Sequence, residues 1–428
     1  MSDLRKTVLG LHTKRSSSSN SRLAASKQNF GPVKWSTYFE KEDTIETPNG
    51  KFHVYSKGTE GPILMCLHGG GYSGLTWALF TDEVTKTIHC QVKALDLRGH
   101  GKTTTNDDLD LSLETLANDV VDVSKKILDG SDTPIILLGH SMGGAVAVEA
   151  VQHMDNVGGL CVIDVVEGTA LDALSSMQSI LRGRPTHFRS IPQAIQWCYK
   201  SGQTNNLEAA KVSMPGQIIS VTTLKLAADE CDEVETEKED LDALGRRSVA
   251  SSACSLTEVA EEPEEKDNIV QSGEETKCND CGKPPLPKSQ RTDDSPSSPQ
   301  QGQMGPPLNA PPIHQSATDA AFQHQYKWRI DLSKTEKFWT GWFTNLSHKF
   351  LEVKVPKLLL LANIHGLDTT LTVGQMQGKF QLQVLQKSGH AIHEDQPHNV
   401  AELLSGYLVK QKIALPKDGF SHNNVPSC

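Results

Sequence analysis

Short runs of apolar residues alternate with longer amphipathic segments along this chain. Because most of these runs lack the polar alternation of a half-buried strand, they are typical of strands covered on both faces. Helical segments separate them, and this alternation predicts a mostly parallel sheet with helices on both faces. The predicted strands are Ile63 to Leu67, Cys90 to Leu95, Pro134 to Leu138, Leu160 to Ile163, Lys357 to Leu361 and Phe380 to Leu385.

Two further patterns complete the predicted fold. Residues 43–48 and 52–55 read as antiparallel strands joined at Asn49-Gly50, where a hairpin turn needs a positive φ. The segment 170–226 has a mainly helical pattern, so we expect a cap above the sheet. One predicted helix begins at about Trp77. The other predicted helices cover Leu113 to Leu128, Ile191 to Ser201, Asn206 to Ser213, Phe338 to Phe343 and Asn399 to Gln411.

Negative charge is concentrated in one stretch of the chain. The 428 residues carry a formal net charge of −10, yet 20 acidic and 8 basic residues lie between Asp229 and Asp294 alone. The stretch 227–317 is rich in Glu, Ser and Pro and poor in aromatic residues, which predicts a disordered acidic insert. The remainder is near neutral, so we expect no binding to nucleic acid.

Composition also predicts the organisation of the chain and its surroundings. No apolar run is long enough to cross a membrane, and the nine cysteines show no regular spacing. We therefore expect no membrane association and a location in the cytoplasm and/or nucleus. The predicted segments are a disordered leader (1–32), a core with the start of the cap (33–226), the insert (227–317), the rest of cap and core (318–420) and a tail (421–428).

The sequence Gly139-His140-Ser141-Met142-Gly143 directly follows a predicted strand and precedes a small, apolar helix. This context is typical of a nucleophile elbow, a sharp turn that leaves the serine hydroxyl exposed. Ser141 is therefore the candidate nucleophile. The Met142 amide points into the same space and is a candidate oxyanion donor.

A serine nucleophile needs a base, and a histidine oriented by a carboxylate usually supplies it. His390 follows the last predicted strand and is our first choice, whereas His393 competes with it. For the carboxylate, Asp164 and Asp368 each follow a predicted strand, and position alone leaves both open.

Glycines after the strand at Ile63 to Leu67 let the backbone approach a ligand closely. The amide of Gly70 is the favoured second oxyanion donor, with Gly71 as the alternative. We assign no metal, because Cys278 and Cys281 form a lone pair and the histidines at 393 and 398 lack the spacing of a zinc site.

Together, His68-Gly69-Gly70-Gly71, the elbow and Ser388-Gly389-His390 resemble the α/β-hydrolase superfamily. Longer motifs resemble the protein phosphatase methylesterase family more closely. These motifs are Leu160 to Thr169, Leu181 to Pro185, Leu371 to Phe380 and Gly389 to Asp395. The resemblance covers about 33–226 and 326–420, and it implies an α/β-hydrolase fold with a helical cap.

The resemblance also implies a function and settles the choice of acid. The family's acid lies in the Ile-Asp-Val-Val-Glu-Gly motif, which matches Asp164, so Asp368 would be structural. The family removes the methyl ester from the C-terminal leucine of the catalytic subunit of protein phosphatase 2A, without a cofactor, and its triad is thought to become productive when the phosphatase docks. The short motifs alone would equally suit a general esterase of small esters. A phosphatase-binding regulator with secondary catalysis is a third hypothesis.

Overall fold

The computed structural model describes residues 28–231 and 325–420. The predicted leader, insert and tail lie outside these ranges except for residues 28–32 and 227–231, and so does the Cys278 and Cys281 pair. Ala227 and Ala228 are buried in two apolar clusters of the folded part. The described fold thus continues past residue 226, because these small apolar side chains pack against it.

Twelve strands form two sheets in the described ranges. The strands are β1 (Lys41–Thr47), β2 (Gly50–Lys57), β3 (Ile63–Leu67), β4 (Gln91–Leu95), β5 (Thr104–Thr105), β6 (Ile135–His140), β7 (Val157–Ile163), β8 (His187–Phe188), β9 (Ile218–Ser220), β10 (Tyr326–Trp328), β11 (Lys357–Leu361) and β12 (Gln381–Val384).

The larger sheet has the order β1-β2-β4-β3-β6-β7-β11-β12, with β5 paired to β2. Strands β4, β3, β6, β7, β11 and β12 run parallel, whereas β1 and β2 form an antiparallel edge. The predicted mostly parallel sheet is confirmed, and all six predicted strands belong to it. Parallel strands place their carboxyl ends at one edge, which is where ligands bind in such sheets.

Helices cover both faces of this sheet. The α-helices are α1 (Ala78–Thr87), α2 (Leu113–Leu128), α3 (Met142–Ala150), α4 (Glu167–Arg182), α5 (Ile191–Ser201), α6 (Leu207–Ser213), α7 (Glu336–Phe343), α8 (Leu346–Glu352), α9 (Thr369–Met376), α10 (Ile392–Asp395) and α11 (Pro397–Lys410). Short 3₁₀ helices cover Trp35–Thr37, Gly74–Trp77, Val151–His153, Met214–Gln217, Leu332–Thr335 and Ile364–Gly366. None of the described helices combines the length and apolar character that a bilayer span requires.

Alternate residues of a buried strand pack into opposite helix layers. On β3, Met65 and Leu67 join an apolar cluster with α2 and α3, whereas Leu64 and Cys66 join a second cluster with α1 and α11. Side chains alternate across a strand. Each apolar run therefore supplies both cores, which is the physical reason that the runs lack polar positions.

The hairpin at the edge of the sheet differs from the prediction by one residue. Thr47 pairs with Gly50, so the loop residues are Pro48 and Asn49, and Gly50 is the first residue of β2. Only Gly50 has a positive φ, at 155°, and a Cβ there would lie 2.5 Å from the Thr104 carbonyl oxygen. Glycine is thus required by the close approach of β5.

The cap contains a small sheet that the sequence pattern did not predict. Its strands have the order β8-β10-β9, and they lie beside the predicted helices α5 and α6. Tyr326 pairs with Ser220, and its hydroxyl donates to Glu230 at 2.6 Å. Strands of two or three residues are too short to show a period, which explains why the prediction was incomplete.

Gly143→Ala is expected to destabilise the fold by about 3 kcal/mol, because overpacking against rigid backbone is costly. A Cβ on Gly143 would overlap the Leu67 carbonyl oxygen and lie 2.5 Å from that of His68. Denaturant unfolding measures the effect. As a control, Gly341→Ala in α7 meets nothing within 4 Å, so it should stabilise the helix by about 0.5–1 kcal/mol. An unchanged unfolding midpoint for Gly143→Ala would contradict this packing.

Candidate active site

Ser141 occupies the turn between β6 and α3 and has the strained backbone that such a turn requires. Its φ of 52° and ψ of −121° lie outside the regions that residues with side chains favour. Gly139 and Gly143 permit this turn, since a Cβ on Gly139 would overlap the carbonyl oxygen of Gly143. The turn therefore holds the Ser141 side chain above the carboxyl edge of the sheet.

The structure brings His390 and Asp164 together. His390 Nδ1 lies 2.8 Å from Asp164 Oδ2, while Asp164 Oδ1 accepts a hydrogen bond from the Ala362 amide at 2.9 Å. A histidine that donates from Nδ1 to a carboxylate presents an unprotonated Nε2 when the ring is neutral. Nε2 is then available as a proton acceptor, as a general base requires.

Ser141, Asp164 and His390 line one cavity of about 230 Å³, here called the active-site cavity. Apolar side chains form much of its wall, among them Val165, Leu174, Met177, Trp342 and Phe343. In the described part of the chain, the Ser141 hydroxyl has no hydrogen-bond partner. The hydrogen bond between Ser141 and His390 is thus not formed in this arrangement, and catalytic hydrogen bonds often tighten only in the complex with substrate.

His393 is held in the core, away from the role of a base. Its side chain is buried, Nε2 lies 2.9 Å from Thr76 Oγ1, and the ring stacks on Trp77 at 4.3 Å. Burial lowers the pKa of His393 to about 3. These contacts support packing rather than catalysis.

Asp368 caps a helix. Its Oδ1 accepts from the Leu371 amide at 2.7 Å, and its Oδ2 accepts from Ser347 Oγ at 2.5 Å. Both oxygens of this carboxylate are therefore engaged at the start of α9. Of the two candidate acids, only Asp164 contacts His390.

In the glycine loop after β3, the amides of Gly70 and Gly71 differ in their hydrogen bonds. The Gly71 amide donates to His100 Nε2 at 2.9 Å, whereas the Gly70 amide makes no hydrogen bond within the described residues. A Cβ built on Gly70 would lie 3.7 Å from Met142 Sδ. Met142 is the first residue of α3, so its amide has no partner within the helix. Of the two glycine amides, only that of Gly70 remains available to donate a hydrogen bond to an oxyanion.

Two neutral histidines fix this loop, and the sequence did not reveal their role. His68 Nε2 accepts from the Leu97 amide at 3.0 Å and Nδ1 lies 2.8 Å from the Gly69 oxygen. His100 Nε2 accepts from Gly71, and its Nδ1 lies 2.8 Å from the Arg98 oxygen. Each ring thus donates from Nδ1 and accepts at Nε2, which only the neutral form can do. Burial lowers both pKa values, that of His100 to about 4.

The loop that carries His390 is held from two sides. His140 Nε2 lies 3.0 Å from the His390 carbonyl oxygen, to which it donates. Asp395 accepts from the Gly389 amide at 2.5 Å and also from the cap residues Thr204 and Asn205 at 2.6–2.9 Å. The position of His390 therefore depends on the cap as well as on the core.

The buried histidines predict a loss of stability in acid. Burial lowers the pKa values of His68, His100, His140 and His393 below the ordinary 6.5. Below pH 6.5 the unfolded chain takes up protons that the folded chain does not bind. The free energy of unfolding should fall toward pH 4, by roughly 1 kcal/mol per pH unit for each histidine. Urea unfolding at several pH values measures this slope.

Three buried carboxyls, those of Asp96, Asp119 and Glu394, oppose the slope, because burial raises their pKa values. Burial raises the pKa of Glu394 to about 7. The contribution of Glu394 to the free energy of unfolding is full below pH 4.5 and is lost as the pH rises through 7. Four histidines act in the opposite direction, so the free energy of unfolding should still fall toward acid pH. His393→Gln removes one of the four buried imidazoles and should therefore flatten the slope. A stability independent of pH between 7 and 5 would contradict this assignment.

Within 28–231 and 325–420, no three His, Cys, Asp or Glu side chains come together as a metal site requires. The chemistry available at the cavity is instead that of a hydroxyl, an imidazole, a carboxylate and backbone amides. This set suits acyl transfer.

The fold and this site define an α/β-hydrolase. Residues 64–217 match the model of the alpha/beta hydrolase family. The crystal structure of E-2-(acetamidomethylene)succinate hydrolase has a TM-score of 0.54 at 13% identity, covering 86% of this chain and 99% of that one. An esterase of M. tuberculosis has a TM-score of 0.50 at 14% identity, covering 86% and 92%. At these identities the likeness shows the fold alone.

Proteins that are similar in sequence show to which family of α/β-hydrolases the chain belongs. Protein phosphatase methylesterase 1 of Homo sapiens is 42% identical over 400 residues, which are 92% of this chain and 89% of that protein. The Bos taurus protein of the same name is also 42% identical, covering 92% and 90%. The probable protein phosphatase methylesterase 1 of Caenorhabditis elegans is 36% identical, covering 91% and 81%. The chain belongs to the protein phosphatase methylesterase family, as its motifs predicted, and it is a carboxylic ester hydrolase.

Proposed function

We propose that this chain removes the methyl ester from the C-terminal leucine of the catalytic subunit of protein phosphatase 2A. Ser141 is the nucleophile, His390 the base and Asp164 the residue that orients it, while the amides of Gly70 and Met142 bind the oxyanion. The observation that carries this proposal is the 2.8 Å contact between His390 and Asp164 in a cavity that Ser141 also lines. The names of the relatives, protein phosphatase methylesterases, support the substrate class.

In the first half of the reaction, His390 Nε2 accepts the Ser141 proton as the serine oxygen attacks the ester carbonyl. Asp164 stabilises the imidazolium that forms. The negative charge on the carbonyl oxygen faces the Gly70 and Met142 amides, which donate hydrogen bonds to it. His390 then protonates the methoxide, and methanol leaves.

The acyl-enzyme is the phosphatase tail esterified to Ser141. Water gives a proton to His390 as it attacks this ester, and the tail is released with a free carboxylate while the proton returns to Ser141. No cofactor takes part. The apolar walls of the active-site cavity suit a leucine side chain beside the reacting carbonyl.

The five cysteines in the described residues, Cys66, Cys90, Cys161, Cys198 and Cys231, form no disulfide. Such cysteines suit a reducing compartment. These cysteines support our proposal that the protein acts in the cytoplasm and/or nucleus, where a protein phosphatase substrate would be accessible to it.

Comparison of two substrates tests the proposal. The purified chain should hydrolyse the methyl ester of the methylated phosphatase with a kcat/KM far above that for a nitrophenyl ester of a small acid, because only the phosphatase is large enough to make contacts outside the active-site cavity. The apolar cavity also favours small lipophilic esters. Faster hydrolysis of the small ester would make the chain a general esterase and overturn the phosphatase assignment.

A further inference from the structure

Arg184 lies where the active-site cavity meets a second cavity. The second cavity, here called the outer groove, has a volume of about 470 Å³ and is lined by residues of the cap such as His187, Lys327 and Trp328. Leu181, Arg184 and Leu332 line both cavities. A polypeptide whose last residue reached Ser141 would therefore pass Arg184 on its way through the groove.

The Arg184 guanidinium has no acceptor of its own in the described part of the chain. Other largely buried arginines do: Arg98 forms two hydrogen bonds with Asp119 at 2.7 and 2.8 Å, and Arg329 donates to Asp108 at 2.9 Å. The Arg184 guanidinium forms no hydrogen bond or ion pair there, and only the backbone amide of this residue donates, to the Leu181 oxygen. A guanidinium carries five donors, so its capacity to bind remains unfilled.

Aromatic packing holds this guanidinium in place. It lies over the Trp328 ring at 5.4 Å, and a Cβ built on Gly71 would be 3.8 Å from Arg184 Nη1. Trp328 is itself fixed, because its Nε1 donates to the Pro185 oxygen at 2.8 Å and its ring packs edge-on against Phe188 at 5.4 Å. A guanidinium that is held over an aromatic ring loses little freedom when it binds a planar anion.

The charges around Arg184 favour an anion over a neutral group. Burial lowers the pKa of Arg184, which reflects the cost of a cation removed from water. In the outer groove, Asp108 is paired with Arg329 and Asp331 lies 3.8 Å from Lys334. Lys327 has no carboxylate partner in the described ranges, so the groove keeps a surplus of positive charge.

We propose that Arg184 is a specificity-determining residue that binds a side-chain carboxylate of the substrate's C-terminal tail, upstream of the methylated residue. The inference rests on the proposed function, since it assumes a protein tail as substrate. The terminal carboxyl is esterified and neutral before the reaction, so it offers no anion. An extended chain advances by about 3.3 Å per residue, which brings the side chains just before the terminus into the groove.

Peptide methyl esters test this inference. Each peptide ends in a leucine methyl ester. The peptides form matched pairs that carry either Asp or Asn at one position before the leucine, and that position is moved along the peptide from pair to pair. For the wild type, kcat/KM should favour Asp over Asn by roughly 10–100-fold at one position, because an interaction with a charged partner has this strength. Arg184→Gln should bring this ratio close to one, and Arg184→Lys should restore part of it.

Arg182→Gln provides the matched control, because Arg182 is exposed and lines neither cavity. It removes the same charge and should keep the full ratio. Equal wild-type rates on every Asp and Asn pair would overturn the role of Arg184 but leave the esterase assignment intact. The role is also overturned if Arg184→Gln lowers kcat/KM equally for the Asp and Asn peptides. It is overturned as well if the only effect of Arg184→Gln is weaker inhibition by the free-acid product, because Arg184 would then bind the product's terminal carboxylate. Failure to hydrolyse any of these methyl esters would instead count against the proposed function.

Discussion

Ser141→Ala is expected to lower kcat by about a million-fold, because removing the nucleophile abolishes covalent catalysis and leaves only the binding groups and oxyanion donors. The drop should be similar for a nitrophenyl ester and for the methylated phosphatase, since each would form an acyl-enzyme on Ser141. Binding to the phosphatase should remain, because the substitution removes one oxygen from the cavity wall. Steady-state kinetics and a pull-down assay measure the two effects.

Ser175→Ala is the control for this variant. Ser175 lies exposed on α4, and its hydroxyl donates to the Asp172 oxygen at 2.8 Å. Its removal should leave kcat unchanged. Esterase activity retained in Ser141→Ala, with the fold intact, would mean that another residue is the nucleophile.

Asp164→Asn should reduce kcat by roughly ten thousand-fold, since an amide can hold the imidazole in the wrong tautomer and cannot stabilise the imidazolium. The His390 Nδ1 contact at 2.8 Å is the interaction that changes. Kinetics at saturating substrate measure the loss. The effect should fall on kcat rather than on KM, because the carboxylate acts mainly as charge develops in the transition state.

Asp368→Asn is the matched substitution at the rival acid. Asparagine also caps helices well, so the start of α9 should lose less than about 1 kcal/mol of stability, and kcat should stay within a few-fold of the wild type. A larger kcat loss for Asp368→Asn than for Asp164→Asn would move the acid to the loop after β11.

The ambiguity between these two aspartates has a structural cause. β7 and β11 are adjacent parallel strands, with Leu360 paired to Ile163, so their following loops leave the sheet side by side. Strand order therefore brings both candidates to the same edge. The direction of each side chain separates them: Asp164 has a φ of 53° and faces His390, whereas Asp368 faces the start of α9. Position in the sequence does not report that direction.

Elements with a continuous apolar run or a clear helical pattern were predictable from the sequence alone. The apolar runs became the parallel strands, and α5 (Ile191–Ser201) has the predicted bounds because Ser190 caps it and Gly202 ends it. The short strands of the cap carry no such signal. The roles of His68 and His100 depend on which backbone amides the folded loops bring to each ring. No sequence pattern indicates these hydrogen-bond partners, because they lie far from the histidines along the chain.

The same limit applies to Gly70 and Gly71. Both are glycines in one loop, and the sequence favoured Gly70 only slightly. Their difference arises because His100 takes the Gly71 amide, a contact between residues 29 positions apart. Long-range hydrogen bonds of this kind decide which backbone donors remain for an oxyanion, and we propose Gly70 for that reason.

Release of the methyl group from the methylated phosphatase tests the central claim most directly. Purified wild-type protein and Ser141→Ala are incubated in parallel with the methylated catalytic subunit, and mass spectrometry of its C-terminal peptide follows the ester. We predict conversion to the free carboxylate with release of methanol by the wild type and none by Ser141→Ala. A C-terminal methyl ester that persists with the folded wild-type protein, or that disappears equally with Ser141→Ala, would contradict the account.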